Sequence, residues 1–419
     1  MRILYTLLWI VALPLVVARL FWRGRKEPGY RQHIGERFGL YASTRASQPV
    51  IWVHAVSVGE TRAAEPLIRQ LMQAYPNHRI LLSHMTPTGR ATGAQLFPDD
   101  QLQQCYLPYD IPYLVGRLIR HFQPAICILM ETEVWPNLIY ACRQRAVPVA
   151  LVNARLSLKS LHKAERLAPL IRPASASISC IAAQTEADAE RIRQLGAVNV
   201  QVTGNSKFDV QQQPEQIRAG KALRRQFGQR AVLLCASTRE GEEALILSAF
   251  TQAALGNMLL VIVPRHPQRF DEVARLIEQQ GLSMQRRSTL GVADLPAETR
   301  VLLGDSMGEM TCYFASADLA YIGGSLLPLG GQNLIEACAV ATPVILGPHT
   351  FNFAAISEDA IQAGAALRIQ SAGELMSLTV SLLANQTQRQ QMSDHALAFA
   401  QQHRGATART MALLQQWIS

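Results

Sequence analysis

From about residue 50 onward, short runs of β-branched and apolar residues alternate with amphipathic stretches of helical length, and no other feature of the chain narrows its fold as far. A strand covered by helices on both faces reads as a continuous apolar run, so the alternation specifies βα units and a parallel sheet. A first series comprises VIWVHAV (50–56), RILLSHM (79–85), AICILM (125–130), PVALVNA (148–154), CIAAQ (180–184) and VQVTG (200–204). The polar stretch VQQQPEQ (210–216) then interrupts the pattern near the midpoint of the chain. A second series follows with AVLLCAS (231–237), MLLVIVP (258–264), VLLGD (301–305), LAYIGG (319–324) and PVILGP (343–348). The expectation is two doubly wound, Rossmann-like α/β domains over 23–209 and 210–419, behind an N-terminal segment at 1–22. Ligands of open parallel sheets sit beyond the carboxyl ends of the strands, so chemistry is expected at strand-to-helix turns facing an interdomain cleft.

Composition removes several function classes. With 419 residues, 49% hydrophobic and 17% charged, the chain is long and apolar enough for real cores and does not have a disordered composition. Forty Lys and Arg against 31 Asp and Glu leave a net charge of +9, which favours anionic partners such as phosphates or acidic lipid headgroups. Aromatic residues are only 6% and are not interleaved with the basic ones, which argues against nucleic-acid binding. The seven cysteines are never closer than fifteen residues and sit in apolar runs, so they read as reduced core thiols and not as a metal knuckle or redox pair. GxGxxG is absent at the first strand, and GxxxxGK[ST] and HExxH are absent too, which removes the main support for dinucleotide redox, P-loop and zinc-protease chemistry.

Residues Ile3 to Ala18 carry no charge and little polarity, and the apolar run continues past Arg19 to Trp22. Its length is close to the about 20 residues of a membrane-spanning helix, and the segment reads as a retained anchor. A cleaved signal peptide and a helix lying flat in the interface are the other two readings. Against cleavage, only Arg2 precedes the run and no small-x-small site follows it. Arg23, Arg25, Lys26, Arg31 and Arg37 outnumber Glu27 and Glu36, which places the following domains on the cytoplasmic side.

Glu60 lies at a helix start after the first strand, in HAVSVGETRAAEPL. It serves either as an ordinary helix-start carboxylate, stabilising by about 0.3–1 kcal/mol, or as a general base contributing roughly 10²–10⁴ in rate. SHMTPTGR (83–90) is a turn suited to an anion. METEVWPN (130–137) sets Glu131 and Glu133 at the end of an apolar strand. The pair could hold a divalent ion, but the chain has no Asp-x-Asp, and a metal-free role is favoured. Lys207, in TGNSKFD, is either solvated or directed into the cleft.

In the second half, CASTREGEE places Ser237 and Thr238 at a strand end as caps or anion ligands. VPRHPQRF offers Arg265 as a clamp for phosphate or carboxylate, and His266 as a structural histidine or a ligand contact. Gly308, in GDSMGEM, lets backbone approach a ligand. GGSLLPLGGQNLIEACA (323–339) has two glycine pairs and then a helix expected near Gln332, with Glu336 one turn in. Phosphate at that helix start and sugar hydroxyls on Glu336 would make a nucleotide-sugar site.

Taken together, RGRKEPGYRQHIGERFG (23–39), SVGE (57–60), MTPTG (85–89), METEVWPN, NARLS (153–157), KFD (207–209), STREGEE (237–243), PRHPQRF (264–270), GDSMGE (304–309), NLIEA (333–337) and GPHTFNF (347–353) form a long ordered set. In these motifs the chain resembles the 3-deoxy-D-manno-octulosonic acid (Kdo) transferases of Gram-negative lipopolysaccharide assembly. The resemblance implies a GT-B fold and inverting transfer of Kdo from a CMP-Kdo donor to a lipid A precursor, lipid IVA, at the cytoplasmic face of the inner membrane. No metal and no cofactor is implied. Carried over by motif, Glu60 would be the base, and Glu131 and Lys207 would stabilise the transition state. Arg265 and His266, then Met307, Gly308 and Glu309, and then Asn333, Leu334, Ile335 and Glu336 would bind CMP. Where the family often has a histidine before that asparagine, this chain has Gln332. Two rival readings are a nucleotide-sugar epimerase, whose soluble substrate gives no reason for the apolar N-terminus, and a membrane-tethered adaptor, which leaves the glycine and carboxylate turns unexplained.

Overall fold

The computed structural model describes residues 1–25, 27–42, 48–98, 102–253 and 255–418, so Lys26 of the basic collar lies outside the described residues. The chain divides into two compact units, one of residues Met1–Val210 with His403–Ser419 and one of Gln211–Gln402.

In the first unit a long helix, α1 (Arg2–Arg23), precedes a seven-stranded sheet. Its strands are β1 (Val50–His54), β2 (Arg79–His84), β3 (Leu102–Tyr106), β4 (Pro124–Met130), β5 (Val149–Ala154), β6 (Cys180–Ala183) and β7 (Val200–Val202). They run in the order β3-β2-β1-β4-β5-β6-β7, every pair parallel. Alternate residues of the central strands enter opposite cores, as the two-residue period of a strand requires. Trp52, Leu81 and Leu129 belong to one core. Ile51, Val53 and Ile128 belong to the other, against Ala64, Leu67, Ile68 and Leu71 of the first crossover helix, α2 (Val58–Ala74).

The second unit repeats the plan with β8 (Val232–Thr238), β9 (Leu259–Pro264), β10 (Met284–Arg286), β11 (Val301–Leu303), β12 (Leu319–Ile322), β13 (Val344–Leu346) and β14 (Ala366–Arg368). Their order is β10-β11-β9-β8-β12-β13-β14, again all parallel. The two parallel sheets and the apolar N-terminal helix are the doubly wound architecture expected from the sequence. Strands β3, β10 and β14 were not anticipated, and each is a sheet edge. An edge strand is covered less completely, so LQQCY, MQR and ALR lack the continuous apolar run that marks a central strand.

The second domain does not run to residue 419 as expected from the sequence: residues 403–419 return to the first unit. Their helix (Ala406–Leu414) and the residues after it bury Met411, Leu413, Leu414 and Ile418 in the core that holds Ile51 and Leu67. Asp209 fixes the segment by accepting the backbone N–H groups of Gly405 and Thr407, each at 2.6 Å. The cores dictate this, since a terminal helix goes wherever its apolar face finds a complement. All seven cysteines are buried free thiols.

Candidate active site

The order of the first sheet reverses between β1 and β4, and in doubly wound sheets ligands bind beyond the strand ends at such a reversal. Glu60 follows β1 and Glu131 follows β4. Ser57 caps α2, and its hydroxyl donates to Glu60 Oε1 at 3.1 Å while the Val56 N–H donates to Oε2 at 2.8 Å. The Ser57 hydroxyl also accepts the Glu60 N–H, while the carboxylate reaches back to Val56 instead of to the Ser57 N–H, a capping box shifted by one residue, so the helix-start role of Glu60 is real. The carboxyl is nonetheless largely withdrawn from water. Burial, opposed by the Val56 N–H bond and reinforced by the charges of Glu133 and Glu131, pushes it up to about 7. A carboxylate poised near neutrality is suited to proton abstraction.

Glu131 is 6% exposed and sits at a φ of +56°, a left-handed conformation that is strained for a non-glycine residue. Lys207 Nζ donates to Oε1 at 2.7 Å and Arg155 Nε lies 3.2 Å from Oε2. Burial would raise this carboxyl, but the Lys207 and Arg155 charges prevail and hold it below the usual range. Glu133 behaves oppositely: burial, opposed by a 2.8 Å hydrogen bond from Trp135 Nε1 and aided by the Glu131 charge, pushes it to about 7. Three acids at the ends of the adjacent strands β1 and β4 thus divide into an ionised, paired one and two near neutrality.

Lys207 is carried by a short helical turn (Ser206–Asp209) anchored on both sides. The Ser206 N–H donates to Asn153 Oδ1 at 3.1 Å, at the end of β5, and the Ser206 hydroxyl donates to the Ala63 carbonyl of α2 at 2.9 Å. The neighbouring MTPTG turn, expected to suit an anion, is tied to the first: the Thr86 hydroxyl donates to the Val56 carbonyl at 2.9 Å and accepts the Gly89 N–H. Among the described residues, no group of three or more His, Cys, Asp or Glu is placed to hold a metal ion.

In the second unit the corresponding reversal lies between β8 and β12. Ser237, at a φ of +57°, closes β8, and Gly323 follows β12 against it. A Cβ on Gly323 would lie 2.5 Å from the Ser237 carbonyl oxygen and 2.6 Å from Thr238 Cα, so only glycine allows this approach. The expected nucleotide residues gather at this edge. Arg265 and His266 follow β9, with the Arg265 N–H donating to the Thr238 carbonyl at 2.9 Å. Burial and the neighbouring Arg239 and Arg265 lower the His266 pKa, favouring its neutral form. Met307, Gly308 and Glu309 follow β11, with Met307 exposed and Gly308 at a φ of +81° facing open space. Glu309 is paired with Arg287 at 2.9 Å.

The last segment differs in detail from expectation. The helix begins at Ile335 instead of near Gln332, because Asn333 Oδ1 takes the Ile335 N–H at 3.1 Å and turns the chain first. Leu334 and Ile335 are fully buried, so only their backbone can meet a ligand, while Asn333 donates to Glu336 Oε1 at 3.3 Å.

The family follows from comparison of whole chains. Residues 32–210 match the family model described as 3-deoxy-D-manno-octulosonic-acid transferase (kdotransferase). A 3-deoxy-D-manno-octulosonic acid transferase of Bordetella pertussis is 45% identical, with 100% of this chain and 99% of the relative aligned. The chain belongs to the 3-deoxy-D-manno-octulosonic acid transferase family. A second Kdo transferase, from Haemophilus influenzae, is 37% identical over 100% of this chain and 99% of its own. Among solved structures, a UDP-GlcNAc 2-epimerase of Neisseria meningitidis has a TM-score of 0.61 at 14% identity, covering 88% of this chain and 100% of that one. A glycosyltransferase of Rickettsia africae has a TM-score of 0.60 at 10% identity, covering 89% and 100%. These two share the fold alone.

Two groups in this Kdo transferase were missed in the sequence. Arg155 balances Glu131, and the only signal was a basic residue just past an apolar strand. Glu242 is fully buried and accepts from Tyr321 Oη at 2.7 Å, the Arg239 N–H at 2.9 Å and the Leu326 N–H at 3.0 Å, and also from the Gly324 N–H, so it braces the first glycine loop. The doubled acid of REGEE was its trace.

Proposed function

We propose that this Kdo transferase moves Kdo from CMP-Kdo to a lipid A precursor, lipid IVA, by a metal-independent, inverting displacement at the cytoplasmic face of the inner membrane. The observation that carries the mechanism is Glu60: a carboxylate clamped by Val56 and Ser57, raised to about 7, at the reversal point of the first sheet. As base, Glu60 takes the proton of the acceptor hydroxyl while that oxygen bonds to the anomeric carbon of Kdo. The bond from that carbon to the phosphate oxygen breaks, and its electron pair leaves with CMP.

Lys207 and Arg155 with Glu131 form a cluster of net charge +1, which suits the carboxylate of an acidic sugar and charge developing in the transition state. Arg265 supplies a cationic group, and His266, Gly308 and the Asn333–Glu336 backbone supply N–H groups, for the CMP phosphate and nucleoside. The Arg265 charge and these fixed donors do the work that a metal ion does in other transferases. Helix α1, 22 residues long and apolar enough by length and composition to cross a membrane, and the surplus of +9 hold the enzyme at an anionic membrane.

The test is mass spectrometry of lipid A precursor incubated with the full chain and freshly generated CMP-Kdo, with and without chelator, beside Glu60→Gln. Mass additions of Kdo that persist in chelator and disappear in the variant are expected, and they also count the residues added. Loss of transfer in chelator would overturn metal independence, and no addition at all would overturn the acceptor assignment.

A further inference from the structure

Exposure along α1 is periodic. Positions 2, 5, 6, 9, 12, 13, 16, 17 and 20 are partly or fully covered, a spacing of three and four that draws one stripe down the whole helix. The opposite stripe is bare, with Ile3, Leu7, Val11 and Leu15 each more than half exposed. The covered stripe carries Arg2, Tyr5, Thr6 and Trp9. Tyr5 Oη donates to Asp110 Oδ2 at 3.0 Å, Asn137 Nδ2 donates to Thr6 Oγ1 at 3.0 Å, and the Trp9 ring lies 6.0 Å from that of Tyr109. The Arg2 guanidinium stacks 3.3 Å from the centre of the Tyr140 ring. At the other end Leu20 is buried and Arg31 Nη2 donates to the Phe21 carbonyl at 3.0 Å.

Both ends of a helix about 33 Å long are therefore attached to the same folded unit. A helix crossing the bilayer separates its ends by the about 30 Å hydrocarbon layer, which would carry Asp110 and Asn137, both buried in the first unit, to the far leaflet. Resting on the membrane reading above, we infer that α1 lies in the plane of the interface, its Ile3–Leu7–Val11–Leu15 face among lipid acyl chains and its Tyr5–Thr6–Trp9 face clamped to the first unit. Lipid is the occupant because exposed Arg19, Arg23 and Arg25 border the bare stripe where headgroup phosphates lie, and Trp22 is 62% exposed among them.

The experiment uses the full chain with one cysteine introduced at Ile3→Cys, Val11→Cys or Trp22→Cys, labelled with a thiol-reactive fluorophore while the seven native thiols are buried. Each is bound to vesicles of phosphatidylethanolamine and phosphatidylglycerol brominated at shallow or deep acyl positions. The in-plane helix gives the same shallow-weighted quenching at all three sites. A spanning helix spaces them by about 12 and 17 Å along the membrane normal, so deep quenching at Val11 with shallow quenching at Ile3 and Trp22 overturns the inference while leaving the membrane reading intact. Failure of the unlabelled chain to sediment with the vesicles overturns both, and bound protein with unquenched labels assigns the bare face to a second copy and overturns the inference. As an independent readout, a Thr6→Cys/Asn137→Cys cross-link is expected to leave vesicle binding within twofold of the uncross-linked form. Loss of binding on cross-linking would show that α1 must detach, against the inference.

Discussion

Glu60 sits at the start of α2 and is also the base proposed above, and substitutions separate the two roles. Glutamine retains the oxygen that accepts the Val56 N–H and serves equally in a capping box, so Glu60→Gln is expected to melt within about 0.5 kcal/mol of the parent while losing roughly 10²–10⁴ in kcat. Alanine is expected to lose the same activity and about 1 kcal/mol of stability as well, measured by denaturant titration. Glu133 is the second residue to test. Its folded pKa of about 7 lies above the ordinary 4.5, so its burial costs nothing below pH 4.5, where both states are protonated, and the penalty grows as pH rises to 7. Glu133→Gln should therefore raise the melting temperature at pH 8 and leave it unchanged at pH 4. Since the Glu133 charge also helps raise Glu60, the acidic limb of the kcat/KM profile, along which activity falls as pH drops through about 7, should move to lower pH in the same variant. An unmoved limb would assign that limb to another group.

At the scale of elements, the close approach of Gly323 to the end of β8 is the feature that shapes the nucleotide site proposed for the second unit. The atoms met by an added Cβ are backbone and cannot swing aside, so Gly323→Ala must part β8 from β12. About 1–3 kcal/mol of destabilisation follows, with a rise in KM for the CMP-sugar that exceeds any fall in kcat, since Glu60 lies in the other unit. A fall in kcat at constant KM would show that the loop does not hold the nucleotide. Glycine here was legible as a pair in the sequence, but its partner, Ser237 some 86 residues earlier, was not. Edge strands failed for the complementary reason: β3, β10 and β14 carry too little apolar sequence to announce themselves and form because a neighbouring strand already offers its hydrogen-bonding edge.

For the whole molecule, the return of residues 403–419 makes the first unit depend on the last part of the chain. Leu414 is fully buried beside α2, so Leu414→Ala is expected to cost about 2–5 kcal/mol. Hydrogen exchange by mass spectrometry should place the lost protection in α2 and β1, with the second unit's sheet unchanged. Faster exchange confined to β8–β14 would contradict that assignment.

By itself the sequence determined the alternation of apolar runs and helices, and with it two parallel sheets and the strand-to-helix turns that carry the candidate site residues, because central strands and crossover helices carry their own hydrophobic periods. Its motifs also marked Glu60, Glu131 and Lys207 one by one. Only the tertiary structure decided that Lys207 and Arg155 share Glu131, that Glu133 stands near Glu60, and where the terminal helix packs. Charge pairing and burial depend on distances between residues far apart in the chain, and those distances exist only once the cores have closed.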